Sequence, residues 1–116
     1  VLRKAYGGSY LAMCSKDLRA DFVYAWPTAE IAVMGAAGAA NVVFRKEIQA
    51  AEDPAAARRE KIELYSQQFA TPYMAAARGF VDLVIHPSET RARLLEALNL
   101  LMNKERLTHP RGNMPL

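Results

Sequence analysis

Tyr6-Gly7-Gly8-Ser9-Tyr10-Leu11-Ala12-Met13-Cys14, close to the start of the chain, is the stretch whose residue types and spacing could do chemistry. It predicts a backbone passing through paired glycines directly into a helix of small and apolar residues. Glycines leave the main-chain amides uncovered by any Cβ, so a ligand can approach them closely. The first amides of a helix lack intrahelical acceptors and sit at the positive end of its dipole. Gly7-Gly8-Ser9 is therefore a candidate cradle for a negatively charged oxygen, built from backbone rather than side chains. Taken alone, Gly-Gly ahead of a helix is more often only a tight turn.

Other reactive residue types are present without the spacing their chemistry needs. Ser9 and His86 would suit a hydrolase pair, but Gly7-Gly8-Ser9-Tyr10-Leu11 is not a Gly-x-Ser-x-Gly elbow, and His86-Pro87 reads as a strand-to-helix junction. His86 and His109 lack ligand spacing with Cys14 or with any carboxylate cluster, so no metal site is expected. Cys14 is the single cysteine, which excludes an intrachain disulfide; within an apolar helix it reads as a buried, inert thiol in a reducing compartment.

The cradle must be positioned by the elements around it. Val1-Leu2 reads as the end of a strand in a chain that begins with Val rather than Met, and so as a piece of a longer polypeptide with strand partners upstream. A helix is expected from about Gly8 to Ser15, then a polar connection, then a strand over Phe22–Trp26 broken by Pro27. Glu30–Met34 is almost wholly apolar, which predicts a second strand buried on both faces. Gly35-Ala36-Ala37-Gly38-Ala39-Ala40-Asn41 opens another helix running to about Ile48. Strand, glycine turn and helix thus recur, which suggests successive β–α units presenting helix N-termini to the same side. The small residues at 35–40 suit close helix packing at least as well as ligand contact.

Asp53-Pro54 pairs an N-cap with a proline at the first helical position and predicts a helix to about Ala70. Ile62, Tyr65 and Phe69 would form its apolar stripe, with Arg58, Arg59, Glu60, Lys61 and Glu63 covering the rest. Thr71-Pro72 restarts a short helix, Tyr73 to Arg78, which Gly79 closes. Phe80–Ile85 reads as a third strand. Pro87 opens a last helix with Leu94, Leu95, Leu98, Leu101 and Met102 as its buried stripe. Glu105–Leu116, with Pro110, Gly112 and Pro115, reads as an irregular tail.

At 116 residues, 52% hydrophobic and 23% charged, the composition suits one globular unit with an ordinary core. The net charge of +3 comes from cations interleaved with acids, as in Arg58-Arg59-Glu60-Lys61, and gives no basic run for nucleic acid. No apolar run is long enough to cross a bilayer, and no signal peptide is visible.

Arg3–Tyr10, Ala25–Gly35, Phe69–Asp82, Pro87–Arg91 and His109–Leu116 together resemble, in order and over essentially the whole chain, the carboxyltransferase β subunits of biotin-dependent acyl-CoA carboxylases, of the propionyl-CoA carboxylase β type. The resemblance implies an α/β, crotonase-like (ClpP/crotonase) fold of β-β-α units in a spiral. Residues 1–104 would be the C-terminal portion of the C-terminal carboxyltransferase domain, and 105–116 its irregular tail. The implied reaction moves a carboxyl group from carboxybiotin to the α-carbon of a short acyl-CoA, propionyl-CoA or acetyl-CoA. The biotin would be carried on a partner subunit or carrier domain and not attached to this chain. Also implied are a biotin carboxylase and biotin carrier partner, a homo-oligomer built as a hexamer from dimers, and a cytoplasmic or mitochondrial-matrix location, with no nucleic acid and no membrane involved.

Within that family the oxyanion hole facing biotin is made by backbone N–H groups at the positions matching Gly8 and Ser9, where charge develops on the ureido oxygen. Ser9 stands where relatives commonly carry Ala, a departure that leaves a main-chain role intact. Leu11 matches a position lining the acyl pocket, with Gly7 and Tyr10 beside it, and Met34 and Gly35 would join the pocket from the second glycine turn. Tyr6, Tyr10, Trp26 and Met34 are equally the residue types that pack around such turns. His86 stands where relatives often have Asp, a better helix cap, which predicts a weaker junction. The same motifs also suit the α subunit of a sodium-pumping, biotin-dependent acyl-CoA decarboxylase, or, as a non-enzyme, an assembly fragment. A chain without the acyl-CoA half is expected to be inactive alone, and an open sheet edge should leave apolar surface inclined to self-associate.

Overall fold

The computed structural model describes residues 1–13 and 15–105. The readings of Cys14, His109 and the tail from 106 onward lie outside the described residues. In chain order the elements are β1 (Lys4–Tyr6), α1 (Gly7–Ala12), β2 (Tyr24–Ala25), β3 (Glu30–Ala32), α2 (Ala36–Val43), α3 (Arg45–Ala50), α4 (Pro54–Phe69), α5 (Pro72–Ala77), β4 (Leu83–Val84) and α6 (Thr90–Leu101). Short 3-10 turns lie at Lys16–Leu18 and Pro87–Glu89.

Both sheets are parallel pairs. β1 pairs with β3 in the register Lys4↔Glu30, Ala5↔Ile31, Tyr6↔Ala32. β2 pairs with β4 in the register Tyr24↔Leu83, Ala25↔Val84, extended by the Asp82 amide on the Val23 carbonyl and the Ile85 amide on the Ala25 carbonyl. Parallel neighbours need a crossover, and each pair here encloses at least one helix. Val23, Ala25, Ala29, Ala75 and Val81 form the buried core between the second sheet and α5, with Ile31 and Val84 packed against it.

Local signals behave as their chemistry demands where the partner is local. Asp53 Oδ1 accepts from the amides of Ala55 and Ala56 and starts α4; Thr71 Oγ1 accepts from the Met74 amide and starts α5. α4 lies across α2 and α3, close enough for the small Ala39 and Ala40 to be buried. The expected helix to Ile48 breaks at Phe44 (φ −105°, ψ 19°), whose ring lies beneath the Lys61 ammonium, 5.0 Å from the ring centre.

Several expectations fail. The first strand is Lys4–Tyr6 and not Val1-Leu2, because the pairing with Glu30–Ala32 starts there. β3 ends at Ala32, and Val33 and Met34 are exposed rather than buried on both faces, since the described residues pair β3 on the β1 side only. The apolar stripe of α6 is uncovered: Leu94, Leu95, Leu98 and Met102 are all exposed, Leu101 is half-buried, and only Ala97 is buried. The junction at His86 is not left poorly capped. Glu89 accepts from the His86 amide at 2.9 Å while His86 Nδ1 accepts, at 3.4 Å, from the Ser88 amide.

The exposed faces of β3 and α6 share a cause. The chain is a slab of 61 × 46 × 18 Å with a radius of gyration of 18.8 Å, against about 13 Å for a compact domain of this length. Its accessible surface is 9147 Å², where a compact monomer of this size exposes roughly 6,300 Å². An ordinary self-contained core is therefore not what this composition builds here. The apolar faces exist, but this chain alone does not cover them.

Candidate functional site

The site is built where β1 runs into α1. Tyr6 closes the strand in extended conformation (φ −116°, ψ 132°) and stands as the N-cap of α1, with no side chain capping the helix start. Gly7 follows at φ +52°, and a Cβ on it would lie 2.8 Å from the Val33 carbonyl oxygen. Only glycine fits that combination of left-handed backbone and close main-chain approach. Gly8 is different: a Cβ there would meet nothing within 4 Å. The Ser9 hydroxyl donates to the Tyr6 carbonyl at 2.6 Å, folding the turn back on itself. The leading amides of α1 therefore stand at an uncapped helix start with free space beside Gly8.

That space is a cleft of about 530 Å³ lined by Gly7, Gly8, Tyr10 and Leu11 on one side. Ile31–Val33 line it from β3 and its end, and Tyr65, Phe69, Met74, Arg78 and Phe80 form a wall from α4, α5 and the turn that follows. The Tyr65 and Phe69 rings lie 5.2 Å apart, giving that wall a continuous aromatic surface. Tyr10 reaches across the end of the cleft, its hydroxyl 3.4 Å from the Phe80 carbonyl. Burial, and then the charge of Asp17, push the Tyr10 phenol above its ordinary value, so it stays a neutral donor. Beneath, Lys16 Nζ binds both carboxylate oxygens of Asp82 at 2.7 Å, and Asp82 also accepts from the Val23 amide, fastening the segment after α1 to the second sheet.

Of the residues the sequence nominated, Gly7, Gly8, Tyr10 and Leu11 come together on this cleft. Ser9 has its side chain on another groove, with Leu2, Met13 and Phe22, while its hydroxyl is held by Tyr6. Met34 and Gly35 are not among the cleft residues. Met34 leans on Gly38, and Gly35 leaves room for the Tyr6 ring, whose Cε2 would be 3.3 Å from a Cβ at that position. Ser9 and His86 form no pair: the Ser9 hydroxyl is occupied, and His86 Nδ1 is engaged with Ser88. Among the described residues no cluster of His, Cys, Asp and Glu could hold a metal, and no helix is long and apolar enough to cross a membrane.

The wall from α4 and α5 was missed in the sequence because Tyr65 and Phe69 fit a core stripe. Periodicity fixes which face is apolar, not whether protein or ligand covers it. Arg78 and Asp17 gave no signal beyond that of ordinary surface charge.

Solved structures share this architecture. A transcarboxylase 12S crystal structure, described as a hexamer assembly with methylmalonyl-coenzyme A and methylmalonic acid bound, matches the whole chain with a TM-score of 0.87 at 63% identity, over 23% of its own length. The fold is thus the α/β, crotonase-like fold of carboxyltransferases. The carboxyl transferase domain family matches residues 1–114, and the chain belongs to that family. The methylmalonyl-CoA carboxyltransferase 12S subunit of Propionibacterium freudenreichii subsp. shermanii is 65% identical over 118 residues, spanning 99% of this chain and 22% of its own length. The methylmalonyl-CoA decarboxylase subunit alpha of Propionigenium modestum is 57% identical over 118 residues, 100% of this chain and 23% of its own. The chain spans under a quarter of the length of these relatives.

Proposed function

We propose that this chain forms one wall of the active site of a carboxyl transferase subunit, the wall that holds a negatively charged oxygen on the main-chain N–H groups of Gly8 and Ser9. The observation carrying this reading is Gly8, in the first turn of an uncapped helix, on the cleft, with open space where a side chain would project. Family membership supports the reaction class, transfer of a carboxyl group between biotin and the α-carbon of a short acyl-CoA. When bound, carboxybiotin supplies that carboxyl group.

The residues present fit such a group. Apolar walls of Tyr65, Phe69, Met74 and Phe80 facing a few backbone donors suit a bicyclic ring with one polar edge. The amides of Gly8 and Ser9 bind the oxygen on which charge grows, and the aromatic wall keeps water away, which strengthens those bonds. Gly7 holds the turn open, Tyr10 closes the end of the cleft, and Leu11 offers an apolar surface to the acyl chain. Met34 and Gly35 serve the pocket from behind, by packing.

On this reading residues 1–104 are the C-terminal portion of a C-terminal carboxyltransferase domain in a cytoplasmic or mitochondrial-matrix enzyme. Its partners are a biotin carboxylase and a biotin carrier, and it assembles as a dimer-based hexamer. The 57% identity to a decarboxylase subunit keeps a second reading open, the same transfer run from acyl-CoA to biotin; the partners of the subunit decide between them.

The test is biotin-dependent release of labelled carboxylate from methylmalonyl-CoA by the full-length subunit. Ser9→Ala, which keeps the amide, should hold the rate within about twofold, whereas Ser9→Pro, which deletes it in the first turn where proline is tolerated, should lose about 10²–10³-fold. Equal behaviour of the two variants overturns the reading. The 116-residue chain alone should show no transfer.

A further inference from the structure

Tyr6 is the residue immediately before the glycine pair, and the fold grips it at every part. Its backbone is the last rung of β1 on β3, opposite Ala32. Its carbonyl accepts from the Ser9 hydroxyl. Its ring lies in the angle between the two glycine turns, against Gly35. Its hydroxyl donates to a carboxylate oxygen of Glu30, at the other end of β3.

Glu30 itself is anchored, its amide donating to the Arg3 carbonyl at 2.7 Å and its register partner being Lys4. Residues 30 and 32 lie on one face of the strand, the face on which Tyr6 pairs with Ala32. A phenol bound to a carboxylate is a charge-assisted bond, among the stronger ones a partly buried pair can make.

We infer that Glu30, acting through the Tyr6 phenol, is a positioning residue that sets the Gly7-Gly8 main chain against Val33 and thereby fixes the amide wall of the cleft. The inference rests on the proposed function for its kinetic readout and goes beyond it in assigning a side-chain pair to hold a main-chain site. The Gly7 main chain runs close beneath the Val33 carbonyl, where an added Cβ would lie 2.8 Å from the oxygen, and it follows directly on the Tyr6–Ala32 rung, so the placement of Tyr6 sets where the next amides begin. The phenol is pushed up to about 12 by burial and by the Glu30 bond and charge, so it remains a donor at working pH.

The experiment uses the full-length subunit with methylmalonyl-CoA and free biotin, comparing Tyr6→Phe, Glu30→Ala, Glu30→Gln and the double variant Tyr6→Phe/Glu30→Ala. Tyr6→Phe and Glu30→Ala should each lower kcat roughly ten- to a hundredfold with KM for methylmalonyl-CoA held within about twofold, the scale on which small misplacements slow reactions. Glu30→Gln, which keeps an acceptor, should restore most of the rate, and the double variant should be no slower than either single one. An unchanged kcat in Tyr6→Phe, additive losses in the double variant, or a Glu30→Gln variant as slow as Glu30→Ala overturns the inference. Gly8→Leu run alongside separates the two levels. If it retains full activity the proposed function fails and takes the inference with it; if it is inactive while Tyr6→Phe is unaffected, only the inference falls.

Discussion

The turn at Tyr6-Gly7-Gly8 and the turn at Met34-Gly35-Ala36 look alike in sequence, each a strand running through glycine into a helix, yet the structure gives their glycines different work. In the first turn Gly7 takes φ +52° under the Val33 carbonyl, and Gly8 faces open space on the cleft. In the second, Gly35 is an ordinary extended N-cap at φ −61°, ψ 150°, and what its missing Cβ provides is room for the Tyr6 ring. One turn faces an open cleft; the other makes a seat for the Tyr6 ring. A glycine before a helix is thus not one signal but three: backbone conformation, access and packing.

Substitution separates those roles, and Gly7→Ala should be the most damaging. Left-handed strain and the overlap with Val33 together should cost about 2–4 kcal/mol of stability. In denaturant unfolding of the full-length subunit this would appear as a lower midpoint, accompanied by loss of carboxyl transfer. A Gly7→Ala protein as stable as the parent would mean that the turn relaxes freely and the comparison fails.

Gly8→Leu should split stability from activity. A Cβ there meets nothing within 4 Å, so the helix should be unharmed, and replacing Gly can even add about 0.4–1 kcal/mol through the unfolded chain. Transfer should nevertheless fall about 10²–10³-fold, the loss expected when an oxyanion donor is blocked. Gly35→Ala should be milder than either. The added methyl presses on the Tyr6 ring, which must tilt, for roughly 1 kcal/mol of stability and a partial loss of kcat. A Gly35→Ala variant as inactive as Gly8→Leu would place the second turn at the ligand after all.

What the sequence made legible follows the reach of each signal. α4 and α5 begin where Asp53-Pro54 and Thr71-Pro72 put them, and Gly79 ends the second in the left-handed region at φ +80°, because caps act on backbone a few residues away. The glycine turn into α1 was readable for the same reason. The fate of apolar faces was not readable. Leu94, Leu95 and Leu98 repeat at helical spacing as core residues do, yet the described residues leave them exposed, while Tyr65 and Phe69, similar in pattern, wall a cleft. Burial is decided by what lies opposite, and for a slab 18 Å thick much of that is not in these residues. Strand lengths were over-read because an apolar run continues past the last paired rung, as Val33 and Met34 do beyond Ala32.

The smallest expected effect concerns how each turn is tied down, and its pH dependence has a definite sign. Behind the first turn, burial pushes the Asp82 carboxyl up, but the Lys16 hydrogen bond, the Val23 amide and the Lys16 charge outweigh it and hold the group below its ordinary 3.8. A carboxylate lowered in the folded state adds stability above its unfolded value and loses it as pH falls through the folded one. Both partners are about a third exposed, so the contribution is modest. The helices that follow the second turn are tied differently, with α3 held to α4 by Lys61 on Glu47. There the Glu47 hydrogen bond raises the Lys61 ammonium above 10.5 against an opposing effect of burial, helped by the charges of Glu47 and Glu60. That contribution is complete below 10.5 and fades only as pH rises further. Melting temperature against pH should therefore show an acid limb that Lys16→Met flattens and Lys61→Met leaves alone. If both variants flattened it equally, the two ion pairs would not act separately, and the difference between the turns would be a matter of glycine geometry only.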